Sequence, residues 1–380
     1  MGYNSATINA DQRTACCIDR RIAMASITQY VVRHSPRQAD IVSDLLKRIH
    51  SGELVPGDKI PSLVDLGKTY GASTHTVQRA IVNLRERGYL ETKSHGSSVA
   101  DYPPHLSHFG LVFPPHVNKK HYFAVLEKEA TELSSTTSAD GMKRRFSFFH
   151  DDGRTDEKMR PDSDVASAVA EHLVGGLIFI TPTPYLHVIA RNNPGIPCVS
   201  LIGDAVPGVP NIRSSWSLEY ALDILKAKSR RRVALLINIF RGEESVEEFI
   251  RMAEEHGMTS SPRWIHGIHW ENAHWGRTCM QLLLHGSDTP DALILSDDNF
   301  VPHATAGIAM SGVKVPEELT VVAHTNFPYP TRSEVPVIRA GTDVRLLMKT
   351  AVETIEAMRR GEPVPDENVL PPCVEEKYKF

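Results

Sequence analysis

Between Ser73 and Ser98 the chain reads STHTVQRAIVNLRERGYLETKSHGSS. Val77, Ala80, Ile81 and Leu84 fall three and four residues apart, the spacing of one buried helix face. Ser73 stands where an N-cap belongs, and Gly88 stops the helix. YLET and SVADY then alternate as two short strands around KSHGS, which predicts a hairpin with glycine at its tip. The N-terminal turn of the helix is crowded with hydrogen-bonding side chains: Thr74, His75, Thr76, Gln78 and Arg79. An ordinary solvated helix has no need of such an end. A helix that enters the major groove of DNA presents this end to base edges and phosphates.

The flanking sequence completes the unit. Ile41, Leu45 and Ile49, with Val42 and Leu46 beside them, predict an amphipathic helix from Arg37 onward. SGELVPGDKIPS breaks it with Gly52, Pro56 and Gly57. Ser62, three residues before Asp65, caps a short helix that ends near Tyr70, and Gly71 makes the turn into the helix at Ser73. The order helix, helix, turn, helix, hairpin is that of a winged helix-turn-helix. In that arrangement Gln78 suits adenine, Arg79 guanine or phosphate, and the hydroxyls and helix N-terminus suit phosphate. The hairpin tip, His95-Gly96 with Lys93 beside it, is shaped for the backbone or the minor groove.

From His108 onward short apolar runs alternate with helical patterns: FGLVF, RRFSFF, GGLIFI, IPCVSL, RRVALLI, RWIHGI, DALILS and LTVVAH are read as strands. Such runs separated by helices predict parallel sheets covered on both faces, and their number predicts two α/β lobes. The expected organisation is a poorly ordered tail over 1–36, with Met24 as an alternative start, a winged helix over 37–102, a linker over 103–107 and a two-lobed α/β domain over 108–380.

Bulk properties narrow the class. The 380 residues are 41% hydrophobic and 23% charged, with a net charge of -4. Nucleic-acid binding must therefore come from a local patch and not from overall basicity. The five cysteines are scattered and odd in number, which fits a reducing cytoplasm. No apolar run suits a membrane span or a signal peptide. No G-x-S-x-G elbow or P-loop is present. His266 and His269, three apart on a strand pattern, point to opposite faces, and with His274 they make no zinc site. Neither a metal nor a cofactor is expected.

The stretch SGELVPGDKIPSLVDLGKTYGASTHTVQRAIVNLRERGYLETKSHGSSVA resembles the winged-helix domain of GntR-family transcription regulators. The likeness lies in GELxPGDKIPS before the second helix, GASxxTV at the turn and RGYL into the wing. It implies DNA contacts at Ser62, Val64, Ser73, Thr74, His75, Thr76, Gln78, His95 and Gly96. That family commonly has arginine where this chain has Val64 and Thr74, and often where it has Gln78, so guanine- or phosphate-binding forks are lost here. Arg79, Arg85, Arg87, Lys68 and Lys93 remain nearby.

HFGLVFPP, GLIFITP, IPCVSL and above all PDALILSDDNF…AGIAMSGVKVPEELTVVAHTN resemble the effector domain of LacI-type repressors, which has the periplasmic-binding-protein fold. The combination is similar to arabinose-responsive repressors. It implies a homodimer on a palindromic DNA operator and a small effector, a sugar, in the cleft between the lobes. Strand ends supply the expected lining: Phe113, Asn118, Tyr122, Thr181, Tyr185, Arg241, Glu243, Trp270, Glu271, Asp297, Asp298, Asn299, His324 and Asn326. The resemblance places a hydroxyl-binding acid at Asp297 or, preferably, Asp298. The family's ligand-binding arginine is absent, with ESVEEF in its place, and Arg241 is the nearest substitute. Two alternatives stand beside this reading: a cytoplasmic sensor that has lost DNA binding, and a winged helix fused to an enzyme-like domain.

Overall fold

The computed structural model describes residues 37–93, 96–114, 120–136, 141, 143–150, 164–238 and 244–378. The expected tail, Asn118, His95, Arg241 and Glu243 lie outside the described residues.

The N-terminal unit comprises α1 (Gln38–His50), α2 (Leu63–Tyr70), α3 (Thr74–Glu86) and a hairpin of β1 (Leu90–Lys93) and β2 (Gly96–Val99). One core holds it together: Ile41, Leu45 and Ile49 of α1 meet Leu66 of α2, Val77, Ile81 and Leu84 of α3, and Val99 of the wing. Each such side chain contributes roughly 1.5–3 kcal/mol over leaving it in water. Gly71, at φ 60°, ends α2 in the left-handed region and turns the chain into α3. The wing pairs antiparallel, with Lys93 opposite Gly96.

The linker is not plain coil. Pro104–Ser107 form a single helical turn, α4, begun by Pro103-Pro104 and tied by the Ser107 hydroxyl to the Pro103 carbonyl at 3.0 Å.

Lobe one contains β3 (His108–Phe113), α5 (His121–Ser135), β4 (Arg145–His150), α6 (Asp164–Ala170), β5 (Gly176–Phe179), α7 (Leu186–Asn192), β6 (Cys198–Ser200) and β7 (Asn211–Ser214). Lobe two contains α8 (Leu218–Ala227), β8 (Val233–Ile237), α9 (Glu244–Glu255), β9 (Ile265–Gly267), α10 (Trp275–Leu284), β10 (Ala292–Leu295), α11 (Val301–Ser311), β11 (Thr320–Phe327) and β12 (Ile338–Asp343). The chain then returns: α12 (Val344–Arg359) packs on the lobe-one core, β13 (Glu367–Leu370) joins that sheet, and β14 (Cys373–Val374) closes lobe two. Two six-stranded sheets result, ordered β13-β7-β6-β5-β3-β4 and β14-β12-β11-β10-β8-β9. Every pairing in them is parallel except β12 with β14. Three strands of chain therefore cross between the lobes: after β7, at Asp343, and after β13.

The strand expected at RWIHGI is shorter than its pattern. Pro262–Trp264 form a 3-10 turn, and only Ile265–Gly267 pair with β8. The proline takes the first helical position, and Trp264 packs into the core instead of extending the strand. At Gly341 of β12 a Cβ would collide with the Thr325 backbone of β11, so this close approach of strands requires glycine.

Candidate functional sites

Two faces carry chemistry, one on the winged helix and one between the lobes. On the winged helix, Ser73 caps α3 by accepting from the Thr76 amide at 3.1 Å, and its hydroxyl meets Thr76 Oγ1 at 2.9 Å. Ser62 caps α2, accepting from the Asp65 amide at 3.2 Å and donating to its carboxylate at 2.6 Å. These three hydroxyls thus hold the helix starts in place. Thr74, His75, Gln78 and Arg79 are exposed on one face. Among the described residues, the side chains of His75, Gln78 and Arg79 have no hydrogen bond or ion pair with protein. They border a shallow hollow with Gln38, Val82, Asn83 and Glu86. Lys93 is held on the wing by Glu91 at 2.8 Å and Asp101 at 3.1 Å, and Gly96, at φ 123°, opens the facing strand. Arg85 donates to Thr92 Oγ1 at 2.7 Å and fastens the wing to α3.

The cleft between the lobes encloses ≈ 570 Å³. Tyr122 and Thr181 line it from lobe one, and Asp297, Asp298, His324 and Asn326 from lobe two. Asp298 is buried. Its Oδ2 accepts from Asn326 Nδ2 at 2.5 Å and lies 3.9 Å from His121 Nε2. Burial, reinforced by the neighbouring Asp297 carboxylate, pushes Asp298 up to about 7. Burial pulls His324 down to about 4, and its ring stands edge-on to Trp216 with centroids 4.6 Å apart. Burial, with Asp298 close by, also raises the Tyr122 phenol.

Two buried polar atoms on the lining have no protein partner: the acceptor Asn326 Oδ1 and the donor Trp216 Nε1. Leaving such groups unpaired costs about 1–3 kcal/mol each, which a hydroxyl-bearing occupant would recover. Across the mouth, the His121 amide donates to Asn299 Oδ1 at 3.0 Å and His121 Nε2 to the Tyr329 carbonyl at 2.8 Å. The Tyr329 hydroxyl donates to the buried Glu129 carboxylate at 3.1 Å. His121 and Glu129 belong to lobe one, Asn299 and Tyr329 to lobe two, so these bonds clasp the lobes together.

Phe113 and Trp270 do not line the cleft. Phe113 is fully buried against Phe123, because β3 is a central strand of its sheet with both faces covered. Trp270 is 9% exposed and lies behind Lys120, whose ammonium is 5.4 Å from its ring. Tyr185 is likewise in the lobe-one core, and Glu271 is engaged with His269 at 3.7 Å. Among the described residues, no three His, Cys, Asp or Glu side chains are grouped to hold a metal ion, and no helix is long and apolar enough to cross a membrane.

Residues 37–99 match the family model of bacterial regulatory proteins, gntR family, and residues 222–377 that of a periplasmic binding protein-like domain. The chain joins a gntR-type DNA-binding domain to a periplasmic-binding-protein-like domain. Over 113 residues it is 26% identical to the HTH-type transcriptional repressor PurR of Aliivibrio salmonicida (strain LFI1238), covering 30% of this chain and 34% of that protein. The chain thus spans about a third of the curated relative it matches. In three dimensions it is similar to a LacI family transcriptional regulator from Lactobacillus casei with bound sucrose, at TM-score 0.53 and 18% identity, over 71% of this chain and 98% of the other. A regulatory protein of LacI family from Chloroflexus aggregans gives TM-score 0.56 and 15% identity, over 70% and 96%. At such identities the likeness is one of fold.

The periplasmic-binding-protein-like domain also lines its cleft with residues that strand-end reasoning missed, notably Lys120, Arg213, Ser214 and Trp216. The last three come from the end of β7 and the first crossover. Their signal was present in NIRSSWS, an apolar position followed by a polar turn and a helix cap at Ser217, which accepts from the Tyr220 amide at 3.2 Å. Arg213 brings a guanidinium to the lining, where it is bound to Glu367.

Proposed function

We propose that this protein is a sequence-specific DNA-binding transcription regulator, a repressor, whose operator affinity is set by a small polyhydroxylated ligand, a sugar, held between the lobes. The observation that carries this reading is the pairing of the two faces in one chain. A recognition helix presents uncommitted His75, Gln78 and Arg79, and a cleft holds a buried acid, Asp298, beside an unpaired acceptor and an unpaired donor. A carboxylate takes hydrogen bonds from adjacent sugar hydroxyls, while Trp216 Nε1 and Asn326 Oδ1 answer a further hydroxyl. The solved regulator from Lactobacillus casei carries sucrose, which supports the ligand class.

The protein acts in the cytoplasm as a homodimer, two winged helices meeting two half-sites of a palindrome. Leu282 on α10 and Met310 on α11, 72% and 63% exposed, offer apolar surface to a second copy. Ligand that prefers the closed lobes shifts the population toward that form and moves the winged helices relative to each other.

The test is selection of binding sites from random duplexes with the full chain, followed by fluorescence anisotropy on the winning duplex in the presence of individual mono- and disaccharides. The expected result is an inverted repeat bound with steep salt dependence and released by one class of sugar. A protein that selects no sequence and binds duplex DNA no better than a neutral control is not a regulator of this kind.

A further inference from the structure

A second cavity, ≈ 560 Å³, lies at the joint between the winged helix and lobe one. Its walls come from both units. Ile49, Leu54 and Val55 stand on one side, Ile196, Pro197 and Met358 on the other. One end is polar, formed by His50, His105, His172 and Arg359. No aspartate or glutamate lines it.

The polar end is tightly arranged. The His50 ring is 4.8 Å from that of His105 and 5.0 Å from that of His172. The Tyr89 hydroxyl donates its single proton to the His172 carbonyl at 2.6 Å, so the 3.0 Å contact with His50 Nε2 has the imidazole as donor. His105 Nδ1 is buried without a partner. Arg359 donates to the His105 carbonyl at 2.6 Å and stands 5.1 Å from the Phe109 ring centroid, with no carboxylate within ion-pairing distance among the described residues. Burial holds His50 down to about 4 and His105 to about 3, and it pulls Arg359 down to about 10. Glu356, one turn back on α12, favours the charged guanidinium, but its carboxylate is bound by Arg144, so the buried Arg359 and the neutral imidazoles have no negative charge of their own.

We propose that this joint is a second ligand site, distinct from the interlobe cleft, which binds an organic anion with an apolar body, a monocarboxylate. The carboxylate meets Arg359 and His105 Nδ1, and the hydrocarbon lies between Val55 and Met358. Because the walls belong to two units, an occupant fixes how the winged helix sits on lobe one. That makes the site a second input to DNA binding, independent of what the cleft binds.

Equilibrium dialysis of the full chain with octanoate, and separately with the uncharged octanamide, tests this. The expected result is one octanoate per chain, with octanamide bound about tenfold or more weakly because it forfeits the charge-assisted bonds. Arg359→Gln is expected to weaken octanoate by a similar factor. Val55→Trp starts from a side chain that is 47% exposed and can be enlarged without repacking a core; it is expected to weaken uptake about tenfold or more by occupying the place of the hydrocarbon beside Met358. Absence of octanoate uptake overturns the proposal, as does equal uptake of octanamide. Uptake that survives Val55→Trp but is lost in Asp298→Asn places octanoate in the cleft and also overturns it.

Discussion

Burying a carboxylate beside a second one, as Asp298 is buried beside Asp297, favours the protonated form, and the folded protein holds that proton to about pH 7. An unfolded chain releases it near the ordinary value of 3.8. Between those two values the folded state binds more protons than the unfolded one, so this residue makes stability fall as pH rises through the window. The penalty is complete above about pH 7. Asp298→Asn keeps an oxygen to accept from Asn326 and removes the titration. Melting temperatures measured from pH 4.5 to 8 are expected to decline less steeply in the variant than in the parent. Parallel curves would remove Asp298 as the cause. The same titration acts on ligand in the opposite sense. The ionised form accepts hydroxyl bonds worth roughly 1.5–3 kcal/mol each. Affinity for the sugar is therefore expected to rise from pH 6 to 8, and in Asp298→Asn to be about tenfold weaker and flat with pH.

At the scale of elements, α3 divides its polar start between two tasks. Ser73 and Thr76 hold the cap, while His75, Gln78 and Arg79 face outward. Ser73→Ala is expected to cost about 1 kcal/mol of stability in urea titration, the usual loss for a cap. Gln78→Ala is expected to leave stability within about 0.5 kcal/mol while losing about 1–3 kcal/mol of discrimination at one base pair, read by anisotropy on a set of point-mutated operators. A Gln78→Ala protein that discriminates like the parent would exclude Gln78 from base reading. This unit was legible from sequence because its signals are local: a cap, a period of three and four, a glycine stop. The lobes were legible as alternating apolar runs, but not β7, β12, β13 or β14. β7, β13 and β14 are short, β12 mixes polar and small residues, and β13 finds its partner β7 only because α12 returns the chain to lobe one. For the same reason Arg213, Ser214 and Trp216 were missed, since the crossover that brings them into the cleft is a property of topology. Phe113 was misplaced because β3 is central and covered on both faces, so its last residue packs in the core and not in the cleft.

For the whole molecule, the three crossings between the lobes leave their relative angle to weak contacts, and the clasp of His121 and Glu129 with Asn299 and Tyr329 is among them. The Tyr329 hydroxyl matters most in this set, because it satisfies Glu129, a buried carboxylate whose pKa burial already raises. Tyr329→Phe keeps the ring under the Lys128 ammonium, 4.1 Å from its centroid, and removes only the hydrogen bond. The bond exists only while the lobes are together, so its loss raises the free energy of the closed form and leaves the open form unchanged. A ligand that binds the closed form then spends part of its binding energy on closure. For a bond of about 1 kcal/mol the expected loss in sugar affinity is at most about fivefold, and it is smaller the more the unliganded parent already populates the closed form. Direct contacts in the cleft are untouched, so the preference among different sugars is expected to stay as in the parent. Small-angle scattering of the unliganded protein is expected to show a larger radius of gyration in Tyr329→Phe, and saturating sugar to bring the two proteins back to the same value. A variant that binds sugar as tightly as the parent would show that closure is held by the crossings themselves and that the clasp only accompanies it.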